Sequence, residues 1–256
     1  MTITTDADTQ HQRDLHLRRG YDREAERYDA VRYHSAEGQF FSDLELTVLK
    51  AWLQPGPGTK ILDVPAGTGR LCVGLAQTGA TVVGGDISRN MLQAAATKAR
   101  TQKARVQFAQ VNGAGLPFAD NTFDAVASFK FFHLIPNDRK RQFITEMARV
   151  LKPGRKMIVE FNSPFYGGIL AFVRYYFRKQ RPGGMRMKCI FPDQIAPLFE
   201  GLTVTRKYGV KMPTSGFLRS VVGQRWTESL NLWFGRVPVL RYFAYAIIVE
   251  AEKPLR

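Results

Sequence analysis

Between residues 59 and 161, short apolar runs alternate with longer segments in which apolar residues recur every three or four positions. The first pattern predicts buried strands and the second amphipathic helices. Strands are predicted at 60–64, 81–85, 106–111, 123–129 and 156–161, and helices at 70–77, 90–100 and 138–151. Strands alternating with helices of this length indicate right-handed βαβ crossovers and therefore a parallel sheet.

Further elements are predicted on both sides of this unit: helices at 15–33, 36–53 and 193–199, and strands at 202–207 and 242–250. Two segments, 162–190 and 210–241, do not fit the repeat, and we expect them to be helical insertions that cover the ligand side of the sheet. The prediction is a single doubly wound α/β domain over residues 15–256, with a mostly parallel seven-stranded sheet and N-terminal lid helices. Residues 1–14 are polar and are predicted to be disordered.

Composition supports a globular, cytoplasmic protein. Apolar residues make up 45% of the 256 positions, which is enough for a large core, and no run approaches the ~20 apolar residues of a membrane span. The polar start lacks the apolar region of a signal peptide. Cys72 and Cys189 are far apart and outside any CxxC motif, which argues against a disulfide framework or a metal site and fits a reducing compartment.

The net charge of +15 is unevenly distributed, with six basic residues and no acid between residues 162 and 188. Such a balance is compatible with nucleic acid, an anionic membrane surface or an anionic substrate as partner, and with a merely solvated basic surface. The net charge alone does not distinguish between these possibilities.

The segment from Ile61 to Arg70 carries the most informative chemistry, because it lies where a predicted strand turns into a helix. Glycines at 67 and 69 allow the backbone to pass close to a ligand, and the free N–H groups of the helix start can receive a carboxylate. Asp63, at the strand end, is suited to an ammonium group. The pair of charges matches an amino acid.

The next two strand ends add a ribose site and a base site. Asp86 can accept hydrogen bonds from two ribose hydroxyls, and Asn112 with the N–H of Gly113 can read an adenine edge. An amino-acid end, a ribose and a base together outline S-adenosylmethionine.

Four motifs carry a family resemblance. Residues 63–69 resemble motif I (D-x-G-x-G-x-G), Gly85-Asp86-Ile87-Ser88 with Met91 the ribose motif, 116–124 an LPF-x-D-x-x-FD run, and 146–154 an EMxRVLKPGG signature. Over residues 18–161 the chain thus resembles class I S-adenosylmethionine-dependent methyltransferases of the ubiquinone/menaquinone-biosynthesis subgroup (methyltransferase domain 11/25-like). It departs from the pattern at Pro65, Asn112 and Arg155.

The resemblance implies a Rossmann-like methyltransferase fold, S-adenosyl-L-methionine as cofactor, and a lid helix at 21–29. The residues it assigns to cofactor binding are Tyr21, Tyr28, Asp63, Pro65, Ala66, Gly67, Thr68, Gly69, Asp86, Ile87, Met91, Asn112, Gly113 and Phe129. Tyr21 and Tyr28, seven residues apart, are expected on one helical face. A nicotinamide site is disfavoured because Cys72 stands where G-x-G-x-x-G requires its third glycine.

His133, just beyond the fourth strand, is the candidate catalytic base, and it matches the first histidine of a His-His pair in many relatives. An imidazole there can take a proton from a phenol or hydroxyl. The alternative is a histidine that only packs or hydrogen-bonds in its loop.

The insertions contain apolar residues at helical spacing, which usually form core or pocket wall. They are Ile169, Phe172, Val173, Tyr176 and Phe177, beside Arg174, Arg178 and Arg181, and then Phe217, Val221, Trp226, Leu230 and Trp233. We expect a small hydrophobic acceptor, with or without an acidic group: a quinone, phenol, polyketide or lipid-like molecule. Contact with an anionic membrane is the second expectation from these residues.

Two alternative functions stay open, an RNA methyltransferase and a cofactor-binding protein without catalysis. The sequence Ser128-Phe129-Lys130-Phe131 lacks the NPPY-type motif of exocyclic-amine methyltransferases and a cysteine to attack a pyrimidine. The sequence leaves undetermined the acceptor, the methylated atom (O, N or C) and the oligomeric state.

Overall fold

The computed structural model describes residues 6–166, 189–211 and 215–255. A seven-stranded sheet lies at its centre, with strand order β3-β2-β1-β4-β5-β7-β6. The strands are β1 (Lys60–Asp63), β2 (Thr81–Asp86), β3 (Val106–Gln110), β4 (Phe123–Ser128), β5 (Leu151–Asn162), β6 (Thr203–Val210) and β7 (Ala246–Glu252). The first five strands are parallel, and β7 runs antiparallel to β5 and β6. The predicted α/β sheet, mostly parallel, is confirmed.

Helices cover both faces of this sheet, as expected for a doubly wound fold. They are α1 (Asp6–Glu24), α2 (Tyr28–Tyr33), α3 (Ala36–Leu53), α4 (Arg70–Ala76), α5 (Arg89–Thr101), α6 (Asn137–Val150), α7 (Pro192–Leu198) and α8 (Ser215–Arg236). Apolar residues of α3, α4 and α5 form one core cluster with the sheet, and those of α6 and α7 form another on the opposite face. The chain reverses its winding between β1 and β4, and a sheet of this kind binds ligands at that point.

The N-terminal helices differ from the prediction in two ways. Helix α1 begins at Asp6, so the second half of the predicted disordered segment is helical. Asp14 anchors this part, because its carboxylate accepts a hydrogen bond from Asn112 Nδ2 at 3.1 Å and lies 3.8 Å from Arg139. The single predicted helix over residues 15–33 is also interrupted by a turn at residues 25–27, where Ala25 is buried.

At the C-terminus, the predicted strand 242–250 is shorter at its start. A 3₁₀ helix, Leu240–Phe243, precedes β7, which begins at Ala246. Apolar residues at 242–245 resemble a strand in the sequence. The chain turns there instead because Gly209 of β6 packs against the backbone of Arg241, where a Cβ on Gly209 would lie 2.5 Å from the carbonyl oxygen.

The second insertion forms α8, which packs on β6 and the 3₁₀ helix. The expectation of a buried apolar stripe is wrong for Val221, Trp226 and Trp233, which are exposed. Gly223 has φ 80° and ψ 171°, so the helix kinks there and residues on its two sides no longer share one face.

The remaining insertion residues are covered unevenly. Leu230 is half-buried, while the side chain of Phe217 lies outside the described set. The residues singled out in the first insertion, between 169 and 181, lie outside the described residues. Within the described ranges, no helix combines the length and apolarity that crossing a membrane requires.

Candidate functional site

A cavity opens at the carboxyl ends of β1, β2 and β4, at the point where the winding reverses. Most residues predicted for the cofactor line it: Tyr21, Tyr28, Asp63, Pro65, Ala66, Gly67, Thr68, Asp86, Ile87, Met91 and Phe129. Further lining residues that the sequence did not single out are Leu17, Tyr33, Arg70, Leu71, Lys130, Phe131 and Leu134. The structure therefore brings the predicted strand ends together, while their contacts with a cofactor stay a prediction.

The turn from β1 to α4 is held by backbone hydrogen bonds to both neighbouring strands. Ala66 N–H donates to Gly85 of β2 at 2.7 Å, and Val64 N–H donates to Ala127 of β4 at 3.0 Å. Gly67 has a φ of 52°, and a Cβ built on it would meet no described atom within 4 Å. The turn thus presents an open stretch of backbone that a ligand can approach closely.

Asp63 ends β1 at the cavity wall and has unused hydrogen-bonding capacity. Its Oδ2 accepts a hydrogen bond from the Cys72 thiol at 3.1 Å, whereas no described group donates to its buried Oδ1. Burial raises the pKa of this carboxyl to about 7. A buried oxygen without a donor is costly, and the ammonium of an amino-acid ligand would satisfy it and favour the ionised form.

Asp86, at the end of β2, connects two turns. Its oxygens accept hydrogen bonds from the N–H groups of Gly67 at 2.8 Å and Ser88 at 2.9 Å. Burial raises the pKa of this carboxyl despite these bonds. Each carboxylate oxygen can accept more than one hydrogen bond, so Asp86 retains capacity for the two hydroxyls of a ribose.

Three predicted cofactor residues do not line the cavity. A Cβ on Gly69 would lie 2.8 Å from that of Ala95, so this glycine permits close packing of α4 against α5. A Cβ on Gly113 would meet the ring of Phe143 at 3.1 Å. The side-chain amide of Asn112 is engaged by Asp14 and by the N–H of Ala114. The sequence correctly placed Asn112 and Gly113 just after β3. The direction of the Asn112 side chain and the space around Gly113, however, depend on contacts with Asp14 of α1 and Phe143 of α6.

Helices α1 and α2 cover the cavity and are hydrogen-bonded to its turns. Asp22 accepts a hydrogen bond from the hydroxyl of Ser88 at 2.6 Å, and Asp29 accepts one of the same length from Thr68. Lys98 of α5 forms an ion pair with Asp29. These contacts join the predicted lid to both the motif I turn and the ribose turn.

The tyrosines of the lid meet across the helix break. Tyr21 lies on α1 and Tyr28 on α2, so the expectation that one continuous helical face carries both is wrong, although their ring centroids are 6.2 Å apart. Tyr33 adds a third ring, 6.2 Å from Tyr28. Burial raises the pKa of Tyr21 to about 12 and also raises that of Tyr28, so both phenols keep their proton, and can donate hydrogen bonds, even in alkaline solution.

A second cavity adjoins the first and shares Tyr21, Tyr28, Tyr33, Lys130 and Leu134 with it. Its other lining residues are Arg32, Gly38, Phe41, Ser42, Glu45, His133, Val210, Lys211 and Tyr245. The walls therefore combine aromatic rings with polar groups. A pocket of this kind suits a largely apolar ligand that is oriented by a few polar contacts.

His133 lines the second cavity rather than the first. Its buried Nδ1 has no hydrogen-bond partner among the described residues. Burial lowers the pKa of this imidazole to about 4, and the positive charges of Lys130, Arg32 and Lys140 act in the same direction. The ring is consequently neutral near pH 7, and it is a weaker proton acceptor than an ordinary imidazole.

Sequence reasoning missed a group of four charged side chains between the two cavities, in which two buried glutamates meet two partly buried cations: Glu45, Glu160, Arg70 and Lys130. Lys130 forms ion pairs with both Glu45 and Glu160, and Arg70 donates to Glu45 at 2.7 Å. Burial raises the pKa of Glu160 to about 7. The one available signal was the lysine within the apolar strand end Ser128-Phe129-Lys130-Phe131, since a buried ammonium requires carboxylate partners.

Comparison with known proteins finds methyltransferases at the level of both sequence and structure. A protein-family model described as a methyltransferase domain matches residues 61–154. The chain is 34% identical over 185 residues to the demethylmenaquinone methyltransferase of Tropheryma whipplei (strain Twist), covering 72% of this chain and 74% of that protein. It is 36% identical over 152 residues to a demethylmenaquinone methyltransferase of Corynebacterium urealyticum, covering 59% and 62% of the two chains.

The overlap with several of these relatives is partial, since the chain spans less than two thirds of the length of the Corynebacterium urealyticum protein. Among solved structures, the magnesium protoporphyrin IX methyltransferase of Synechocystis PCC 6803 with bound SAH is similar in fold. Its TM-score is 0.61 at 19% identity, with 86% of this chain and 88% of that chain covered.

Proposed function

The chain belongs to the class I S-adenosylmethionine-dependent methyltransferases, and from this premise we propose that its acceptor is a small hydrophobic molecule of the quinone or phenol class. One observation carries the proposal: the second cavity adjoins the cofactor cavity, and its walls of aromatic and charged side chains include an imidazole whose Nδ1 has no partner among the described residues. The relatives named as demethylmenaquinone methyltransferases support the same choice.

S-adenosylmethionine is the cofactor, and the residues of the first cavity fit it. Asp63 offers a buried, unpaired oxygen to the ammonium, the turn at Gly67 offers open backbone, and Asp86 offers acceptors to the ribose. When bound, this cofactor supplies an electrophilic methyl group on a sulfonium. The contribution of the chain is to hold the acceptor in line with that methyl, and such positioning is worth roughly 7–11 kcal/mol.

The residues of the second cavity divide this work between them. Tyr21 and Tyr28 line the second cavity as well as the first, and their phenol hydroxyls can donate hydrogen bonds to an acceptor oxygen. His133 takes the proton that a hydroxyl loses as its oxygen, or the conjugated ring carbon, becomes the nucleophile. Its pKa of about 4 makes the imidazole a weaker base than an ordinary histidine, so this role requires the bound acceptor to raise that pKa or to be an acidic phenol. Closure of the lid helices over bound cofactor and acceptor would exclude water from the reacting groups.

Methyl transfer to defined acceptors tests the proposal. The purified chain is incubated with cofactor labelled in its methyl group and, separately, with a short-chain demethylmenaquinol, substituted phenols and total RNA, and the products are identified by mass spectrometry. We expect label in a quinol or phenol, and slower labelling by the Asp86→Ala variant when the cofactor is limiting. Label in RNA alone would overturn the proposal in favour of an RNA methyltransferase, and label in none of the substances would reject this acceptor class.

A further inference from the structure

The outer part of α8, after the kink at Gly223, has the reverse of the usual distribution of side chains. Thr227, Asn231 and Gly235, which recur every fourth residue, are buried. They face β6: the Tyr208 hydroxyl donates to the carbonyl of Asn231 at 3.3 Å. A Cβ on Gly235 would lie 2.3 Å from the carbonyl oxygen of Gly209. Small and polar residues thus allow the helix to approach the sheet edge closely.

Both tryptophans of the same helix point to solvent, whereas Leu230, Leu232 and Phe234 are half-buried. Trp226 is 69% and Trp233 is 58% exposed, and their spacing of seven places them on one face. Val222, just before the kink, is also exposed. A helix that packs on its own fold normally buries such residues. Two tryptophans left outside on one helical face indicate a contact surface for a partner.

The charges around this face favour an anionic partner. Between residues 201 and 241 the chain has seven basic residues and one acid, within a total net charge of +15. Arg225 and Arg236 are exposed on the same helix, one residue before the first tryptophan and three residues after the second. A second copy of this strongly basic chain would be repelled by the same charges.

We propose that the outer face of α8 binds the surface of an anionic phospholipid membrane. Trp226 and Trp233 lie at the level of the headgroups, where an indole places its ring against acyl chains and its N–H towards water. Arg225 and Arg236 lie near the lipid phosphates. The helix is parallel to the membrane plane, as in other amphipathic helices that bind at this interface.

Vesicle binding by the full chain tests this inference. Vesicles of phosphatidylcholine alone and of phosphatidylcholine with phosphatidylglycerol are compared by flotation and by tryptophan fluorescence. The variants are Trp226→Ser/Trp233→Ser and Arg225→Gln/Arg236→Gln. The matched control is Leu255→Ser. It also removes an exposed apolar side chain (83% exposed), but one that lies beside Gly154 of β5 and not on α8.

We expect the wild type and the Leu255→Ser variant to float with anionic vesicles and to bind neutral ones weakly. The double arginine variant should bind about 25-fold more weakly, since each basic side chain near the surface contributes roughly fivefold. With anionic vesicles, the double tryptophan variant should float no better than the wild type does with neutral vesicles. Its melting temperature and its cofactor affinity should stay unchanged.

Four outcomes would overturn the inference. The first is a wild type that does not float with anionic vesicles, and the second is a double tryptophan variant that floats as well as the wild type. The third is a wild-type dimer that light scattering shows to be lost in the double tryptophan variant, because a second copy of the chain would then cover this face. The fourth is RNA that binds the wild type, fails to bind this variant and is not displaced by anionic vesicles, which would likewise assign the face to another partner. None of these outcomes depends on which acceptor is methylated, so the inference and the proposed function fail separately.

Discussion

Asp29 of α2 accepts a hydrogen bond of 2.6 Å from the hydroxyl of Thr68 in the motif I turn. A carboxylate 39 residues earlier in the chain thus ties the lid to the loop that is expected to receive the amino-acid end of the cofactor. Because this contact crosses the mouth of the cavity, opening of the lid must break it, together with the contact of Asp22 with Ser88.

Removing the Asp29 contact should loosen the lid. In Asp29→Ala we expect faster hydrogen exchange over residues 28–33 and cofactor binding weaker by about 1–3 kcal/mol, the usual value of a hydrogen bond to a charged group. In the wild type, cofactor should slow exchange over residues 15–33. Asp43→Ala, an exposed change on α3, serves as control. Exchange that responds neither to cofactor nor to the Asp29 change would reject the lid.

The second prediction concerns Asp86. Asp86→Ala should weaken binding of S-adenosylmethionine, measured by calorimetry, by about 1–3 kcal/mol because charged hydrogen bonds are lost. Asp86→Asn keeps one acceptor oxygen, so its affinity should lie between those of the wild type and of Asp86→Ala. Asp124→Ala is the control, since that carboxylate binds Lys60 N–H at the start of β1, the end of the sheet remote from the cavity. Unchanged affinity in Asp86→Ala would remove Asp86 from the site.

The third prediction is the pH dependence of turnover. Burial lowers the pKa of His133 to about 4, so the imidazole remains an available base at pH 5 and 6, where an ordinary histidine is largely protonated. We expect kcat/KM to fall on the acid side near pH 4, and His133→Gln to lower kcat by about 10²–10⁴-fold. An acid limb near pH 6.5, or full turnover in His133→Gln, would show that His133 is not the base.

The fourth prediction is the stability effect of Lys130. Its ammonium lies between the carboxylates of Glu45 and Glu160, both fully buried. Lys130→Met leaves Glu160 without a cation, while Glu45 keeps its ion pair with Arg70. At pH 8, where Glu160 is ionised, we expect a loss of about 3–5 kcal/mol in the free energy of unfolding. Lys211→Met, which removes an ion pair to the exposed Glu37, should cost at most about 1 kcal/mol. Urea denaturation measures both free energies of unfolding. Equal losses in the two variants would contradict the prediction.

A fifth prediction follows from Glu160, whose pKa burial raises to about 7. The folded chain then holds this proton more tightly than the unfolded chain, where the pKa is about 4.3. The stability from this proton is present below the unfolded pKa and is lost as pH rises through about 7. Glu160→Gln should therefore lose less stability than the wild type between pH 5 and pH 8. Asp63 titrates in the same direction in both proteins, so parallel curves would reject the assignment to Glu160.

Local patterns were sufficient for the sheet and for the cofactor motif. Each strand from β1 to β4 is a short apolar run, and its predicted bounds differ from the structure by one residue at most. Asp63 and Asp86 were identifiable because they end strands, and Gly67 because it lies in the turn after one; the carboxyl ends of parallel strands meet at one edge. The hydrophobic periodicity and the position of a residue relative to a strand are therefore enough to predict these features, without knowledge of contacts between distant segments.

Contacts between distant segments decided the rest. The meeting of Tyr21 with Tyr28 across a helix break, and of Glu45 with Lys130, joins elements whose relative placement no local pattern encodes. The same holds for Trp226 and Trp233: their spacing predicts a helix, but which face is buried depends on how closely Gly235 can approach Gly209. Hydrophobic periodicity reports that a helix has an apolar face, and only packing against β6 decides that this face is turned to the solvent.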